Sequence, residues 1–227
     1  MSFFENISSI QNIIYIFSSI LFISGIKMLG KEDTAVRGNF LSALAMFIAV
    51  SVTFINVINP ILVLVGIAIG AIIGSLIALK VKMTSIPEMV ALFNGFGGLA
   101  TFFIAWSEFN SIPENTFQYI LIMITIFIGG VTFSGSIIAY GKLSEKLTIK
   151  KTSIVTKLFT TIFYISIIYL VYSILLTNIF VPTFDFFTIL LILTLLGGIG
   201  FVLPIGGGDM PVVISLLNSF SGIAAAF

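Results

Sequence analysis

Two asparagines, Asn94 and Asn218, lie inside segments that are otherwise apolar enough to be surrounded by lipid. The stretches around them, LFNGFGGLA and LLNSFSGIA, place an asparagine, a phenylalanine, a glycine and an alanine at the same spacing. A carboxamide does not titrate near neutral pH, but it donates and accepts hydrogen bonds. Two such groups in matched positions favour either a hydrated path through a membrane or hydrogen bonds that hold helices together.

Glu88 and Asp209 are the acidic residues nearest to the two asparagines, and each lies at the predicted start of its helix. A carboxylate there is stabilised by the helix dipole, by about 0.3–1 kcal/mol, and this alone can explain its presence. The functional alternative is that both acids exchange protons at the inner mouth of a path. The residues alone leave the two interpretations open.

The two asparagine segments form a repeat. Pro87 and Pro211 each precede their asparagine by seven residues, and all the matched positions share one constant offset. Proline is well tolerated at the start of a helix. Each asparagine is therefore predicted about 10 Å into its helix. Because the copies lie four spans apart, on the fourth and eighth predicted helices, the repeat is parallel and the two amides are expected at one membrane depth.

Small residues accompany the asparagines at helical spacing. Gly98 and Gly222 lie four residues beyond them, on faces predicted to pack closely against other helices. Ser136 belongs to a stripe of hydroxyl groups and glycine on the fifth predicted helix, together with Thr125 and Thr132. A second packing motif, GxxxGxxxG, occupies the third predicted helix and consists of Gly66, Gly70 and Gly74.

Composition excludes several classes of chemistry. The 227 residues include no cysteine and no histidine, so disulfides, thiolate or imidazole metal sites and histidine-based triads are ruled out. No GxGxxG motif occurs, and the net charge of +1 does not suggest a nucleic-acid partner. We therefore predict no catalytic, metal or cofactor-binding residue in this chain.

The chain is 59% hydrophobic and only 8% charged, against roughly 25% charged residues in a soluble domain. A bilayer-spanning helix needs about 20 apolar residues. We therefore predict an all-α, polytopic transmembrane helix bundle with about eight spans. The predicted spans are 7–29, 39–58, 60–80, 87–107, 116–141, 157–180, 184–203 and 209–227.

Charge predicts the orientation of these spans. All 10 basic residues fall in or beside the loops after spans one, three and five, and the alternate loops carry only acids: Glu5, Glu108, Glu114 and Asp185. Lysine and arginine accumulate on the cytoplasmic side of short loops. The N-terminus is therefore predicted outside, and so is the C-terminus. Because Phe227 ends the chain without a polar anchor, we expect one further helix to be missing.

Three stretches, MTSIPEMVALFNGFGGLAT, TFSGSIIAYGKL and GGGDMPVVISLLNSFSGIAAAF, resemble the membrane part of the β subunit of proton-translocating NAD(P)+ transhydrogenase. The resemblance implies that residues 1–227 are a transmembrane proton-translocating domain whose final helix and NADP(H)-binding domain are missing. Domains outside this chain would transfer hydride from NADH to NADP+ while a proton moves inward. NADP and NAD would belong to the complete complex, and neither would bind this chain.

The same resemblance implies partners and a location. A transhydrogenase α subunit would carry the NAD(H) domain, and the αβ units would form a dimer in a lipid bilayer. The bacterial inner (plasma) membrane is the expected location, ahead of a mitochondrial or related organelle membrane.

The resemblance also assigns residues to the proton pathway. Asn218, Ser136, Glu88 and Asp209 match residues of the family, whereas Asn94 stands where its best-known members have a histidine. Asn94 would then orient water, or the titrating group lies elsewhere, or this version is uncoupled. A secondary transporter or ion channel that uses the same polar helix track is the alternative function.

Overall fold

The computed structural model describes residues 3–110, 115–147, 153–176 and 184–226, and these residues form helices and turns without a strand. This confirms the predicted all-α class. The eight α-helices are α1 (Phe3–Leu29), α2 (Glu32–Thr53), α3 (Pro60–Lys80), α4 (Ile86–Asn110), α5 (Thr116–Leu143), α6 (Ile154–Leu176), α7 (Phe184–Val202) and α8 (Met210–Ala225). Glu114, Phe227, the end of the sixth predicted span (177–180) and the side chains of Glu5 and Asp185 lie outside the described residues.

Helices α1 to α6 are each long and apolar enough to cross a membrane. Helices α7 and α8 pass this test only as a pair, and they are bent by 110° at the short break between them. Counted as one span, the pair raises the number of apolar candidate spans in the described chain from six to seven. The chain is therefore a multi-pass helical membrane protein.

The helix that contains most of the second predicted span, 39–58, extends beyond its N-terminal end. Helix α2 already begins at Glu32, and a short 3₁₀ turn, Phe54–Asn56, follows its last residue, Thr53. Glu32 and Asp33 occupy the first turn, where the helix dipole favours negative charge. Hydropathy marks only the stretch that prefers lipid, so it cannot detect a helix that continues into the charged loop.

The described chain divides into two compact units, Met1–Leu79 and Lys80–Phe227. In the first unit, α1 and α2 form a closely packed pair. A Cβ added to Gly38 would lie 2.7 Å from the Gly25 carbonyl oxygen, so the two backbones touch at this point. The side-chain amides of Gln11 and Asn56 exchange hydrogen bonds of 3.2 and 3.3 Å. These contacts are the interhelical packing and polar pairing that membranes allow.

Helix α5 forms the centre of the second unit, because residues along most of its length are buried and α4, α7 and α8 pack against it. Glycines let the neighbouring backbones approach. A Cβ on Gly98 would lie 2.8 Å from the Thr132 Cβ, and a Cβ on Gly129 would lie 2.8 Å from the Phe102 nitrogen. Because side chains are absent at these two positions, α4 lies directly against α5.

Replacing Gly129 by alanine should destabilise the second unit by about 2 kcal/mol, since the new methyl group would meet the α4 backbone, which no side-chain rotation can move away. Thermal unfolding of the purified protein in detergent measures the effect. Gly70→Ala is the matched control because the space beside Gly70 is open, and it should leave stability unchanged or slightly raised. Equal melting temperatures for the two variants would contradict this packing.

Candidate functional site

A cavity of about 690 Å³ lies between α4 and α8, and both repeated asparagines line it. Pro87 and Asn94 contribute from α4, and Pro211, Ser215 and Asn218 contribute from α8. The remaining lining is mostly apolar, with Val90, Phe93 and Ile214 among its members. The structure thus brings the two copies of the repeat to one open seam, with uncharged polar groups set in an apolar wall.

The side chain of Asn94 is held in place by a hydrogen bond across the helix pair. Its Nδ2 donates to the Oγ of Ser136 on α5 at 2.9 Å. Ser136 is fully buried, and Asn94 is half-buried at the edge of the cavity. The approach depends on Gly95, since a Cβ there would lie only 3.1 Å from the Ser136 Cβ. One end of the Asn94 carboxamide is therefore fixed by protein.

A pair of hydroxyl groups lies deeper in the same seam. The Ser221 Oγ, at the edge of the cavity, is 3.2 Å from the Thr132 Oγ1, to which it donates. Both hydroxyls also lie within hydrogen-bond reach of the Leu217 carbonyl oxygen, at 3.1 Å from Ser221 and 3.5 Å from Thr132. Thr132 is fully buried. The sequence pattern pointed to Thr132 but not to Ser221, which lies three residues after Asn218 and so shares its helix face.

The two acids lie beside the cavity. Glu88 is half-buried in the first turn of α4, next to the lining residue Pro87. Asp209 is exposed just before α8, two residues ahead of Pro211, and its side chain makes no capping hydrogen bond. Both carboxylates thus lie at the N-terminal ends of α4 and α8, close to the lining residues Pro87 and Pro211. Among the described residues, no three acidic side chains lie close enough to hold a metal ion.

The asparagine side chains differ in their surroundings. Asn218 is exposed, and the α8 residues that are buried near it are apolar: Val213, Ile214 and Leu217. Helix α8 therefore packs on the bundle through an apolar stripe, and its small polar face, with Ser215 and Asn218, stays open to the cavity. Asn94, in contrast, lies on the packed side of the seam.

Lys142, on the last turn of α5, holds the break between α7 and α8. Its Nζ donates to the Val202 carbonyl oxygen at 3.3 Å and also to the carbonyl oxygens of Leu203 and Ile205. The last carbonyls of a helix have no partner within it, and the dipole favours a cation there. Sequence reasoning counted Lys142 only as a loop charge, since nothing in the pattern links it to residues about 60 positions later.

The five glycines predicted to pack helices have different environments. Gly98 is buried against Thr132. Gly66, Gly70 and Gly74 on α3 and Gly222 on α8 have open space beside them within the described chain. Besides Gly98, the close contacts of the second unit use glycines that the sequence pattern did not select for packing, among them Gly130, Gly135, Gly198 and Gly200. The three glycines Gly197, Gly198 and Gly200 within four residues were the signal available for α7.

The fold and the site together define a class: a multi-pass helical membrane protein with an uncharged polar seam between two matched helices. The family model for the NAD(P) transhydrogenase beta subunit matches residues 11–227, and the chain belongs to this family. It is 32% identical over 226 residues to NAD(P) transhydrogenase subunit beta of Rhodospirillum rubrum, a match that covers 93% of this chain and 47% of the relative. A protein of the same name from one strain of that species matches equally well. The chain thus spans about half the length of these curated relatives.

Proposed function

We propose that this chain is the proton-conducting membrane part of a transhydrogenase, and that domains outside it transfer hydride from NADH to NADP+. Its membership of the beta-subunit family supports the proposal. The structural observation that carries it is the shared cavity, into which both Asn94 and Asn218 open. In this proposal NAD and NADP bind elsewhere in the complete complex.

The seam lowers the cost of moving a proton by solvating it. Among the described residues no titrating side chain lines the cavity, so we infer that the conducted proton is carried by water that the amides and hydroxyls orient. Ser136 fixes one end of Asn94, which leaves the other end of the carboxamide to order water. In this account Asn94 is a positioning residue.

Glu88 and Asp209 act as proton-exchange groups at the inner mouth, next to the two prolines that begin the cavity. Coupling arises at the α7–α8 break: movement of residues 206–209 opens or closes the mouth beside Asp209. Such a shift requires only that the external domains favour one of two loop positions over the other.

The proposed topology has eight spans with both termini outside. The alternation of basic and acidic loops supports it, because it places every lysine and arginine on one side. In this topology α7 and α8 cross separately, and the break between them lies at the inner surface together with Lys142.

The proposed assembly is a dimer of αβ units in a bacterial inner membrane. The α subunit supplies the NAD(H) domain, and the beta subunit supplies the NADP(H) domain in a part that lies outside residues 1–227. The bacterial relative and the membrane-spanning helices support this location. The open glycine faces of α3 and α8 are proposed to pack against helices of these partners.

Reconstitution of the complete complex into vesicles tests the function. With the nucleotide-binding domains facing the external medium, addition of NADH and NADP+ should carry protons from the vesicle interior to the medium, and omission of either nucleotide should stop the flux. Proton or cation flux without nucleotides would instead indicate a channel. Solute-driven flux would indicate a secondary transporter.

A further inference from the structure

A second cavity, of about 290 Å³, lies near the other end of α4 and α5, against the last residues of α8. Its polar lining consists of Thr101, Glu108, Gln118 and Thr125, and Ala224 and Ala225 close it from α8. Thr101 and Thr125 are buried, and Glu108 is exposed. The cavity therefore leads from a solvated carboxylate inward to hydroxyl groups.

The two cavities follow one another along α4. The first extends over residues 86–97 and the second over residues 101–108, so about one helical turn, roughly 6 Å, separates them. Gly98 packs against Thr132 within this interval. The Thr132–Ser221 hydroxyl pair also lies here, with Ser221 at the edge of the first cavity. The hydroxyl pair thus lies between the two open spaces, with Ser221 lining the first cavity and Thr125 the nearest α5 hydroxyl in the second.

Glu108 has no evident structural reason for its position. It lies in the last turn of α4, where the helix dipole disfavours a carboxylate, in contrast to Glu88 and Asp209 at helix starts. Within the part of the chain that the structure describes, it is the only titratable side chain that lines either cavity, and Gln118, which lines the same cavity from α5, is uncharged. A carboxylate in such a cavity mouth can exchange protons with water on one side and with the seam on the other.

We propose that the second cavity is the outer half of the proton route and that Glu108 is its proton-exchange group. The inference rests on the proposed function. A proton released by the Glu108 carboxyl group passes through water to Thr132 Oγ1. In the structure Ser221 donates to Thr132, so both hydroxyl groups first rotate until Thr132 donates to Ser221 and Ser221 donates to water beside Asn94. The hydroxyl proton of Thr132 then moves to Ser221 Oγ, and that of Ser221 moves to the water. Each hydroxyl keeps one proton, and bulk solvent reprotonates Glu108.

The test is Glu108→Gln in the complete reconstituted complex. Pumping should fall about tenfold, because a positioned acid–base group is lost while water can still enter the cavity. The pumping rate of this variant should also no longer depend on the pH of the compartment at the C-terminal end of α4. Glu108→Asp should restore both. Glu32→Gln, an exposed glutamate outside both cavities, is the matched control and should pump at the wild-type rate.

A second variant, Thr132→Val, tests the link between the cavities, since it keeps the shape but removes the hydroxyl group. Thr132→Val should reduce the pumping rate. The rate that remains should still depend on the pH of the compartment at the C-terminal end of α4. Wild-type pumping with an unchanged pH profile in Glu108→Gln would overturn the inference. If Asn94→Leu and Asn218→Leu nevertheless stop pumping in that case, the proposed function stands and only the role of Glu108 is refuted. If the wild-type complex moves no protons, the proposed function and the role of Glu108 are both refuted.

Discussion

Replacing Asn94 by leucine should lower proton pumping by the complete complex about 100-fold. The leucine removes the hydrogen bond to Ser136 and places an apolar group where the carboxamide met the cavity. Water in the cavity loses one polar partner in an otherwise apolar wall, which raises the free-energy barrier for the proton by about 3 kcal/mol. Each 1.4 kcal/mol of barrier corresponds to about a tenfold change in rate. Proton flux in vesicles on addition of NADH and NADP+ measures it.

Two controls accompany this variant. Asn59→Leu makes the same chemical change at an exposed position outside both cavities, and it should pump normally. Ser136→Ala removes the partner of Asn94 but keeps the carboxamide, so its pumping should lie between those of the wild type and Asn94→Leu. Pumping by Asn94→Leu at the wild-type rate would show that Asn94 is not part of the conduction path.

Replacing Lys142 by methionine should destabilise the second unit by about 3 kcal/mol. The methionine fills similar space but removes the donor of the Leu203 and Ile205 carbonyl oxygens, and it leaves the Val202 carbonyl oxygen with the Ile205 N–H alone. Because Val202 and Leu203 are buried, water cannot readily replace the Lys142 ammonium group as a donor to their carbonyl oxygens. Unfolding in detergent measures the stability, and limited proteolysis at residues 203–209 should show faster cleavage.

Lys82→Met is the matched control for this variant, because Lys82 is exposed in the loop before α4. It should unfold like the wild type. Lys142→Arg keeps a cation and several donors, so it should recover part of the lost stability. If Lys142→Met and Lys82→Met unfold alike, Lys142 does not hold the α7–α8 break.

The helical class and the asparagine pair could be predicted because they depend on local pattern. Apolar runs of about 20 residues indicate helices in lipid, and their positions follow from composition. The matched spacing from Pro87 to Asn94 and from Pro211 to Asn218 selected two residues that the structure places on one cavity. Both features are readable within a window of one helix.

Features that depend on contacts between distant segments could not be predicted. The Asn94–Ser136 and Thr132–Ser221 hydrogen bonds join residues 42 and 89 positions apart, and the register between helices decides them. The role of Lys142 depends on where α7 ends. For the same reason the sequence selected the GxxxGxxxG motif of α3 for packing, although the close glycine contacts lie between α1 and α2 and around α5 and α7.

The most direct test of the hydrated seam is the reactivity of cysteines with a water-soluble methanethiosulfonate reagent. This chain contains no native cysteine, so Asn218→Cys and Ile223→Cys each introduce its single thiol. Asn218 lines the cavity, whereas Ile223 is exposed on the same helix outside it. Because the thiolate is the group that attacks the reagent, and it forms in water and not in lipid, Asn218→Cys should react many times faster. Equal, slow reaction at both positions would contradict a water-filled seam between α4 and α8.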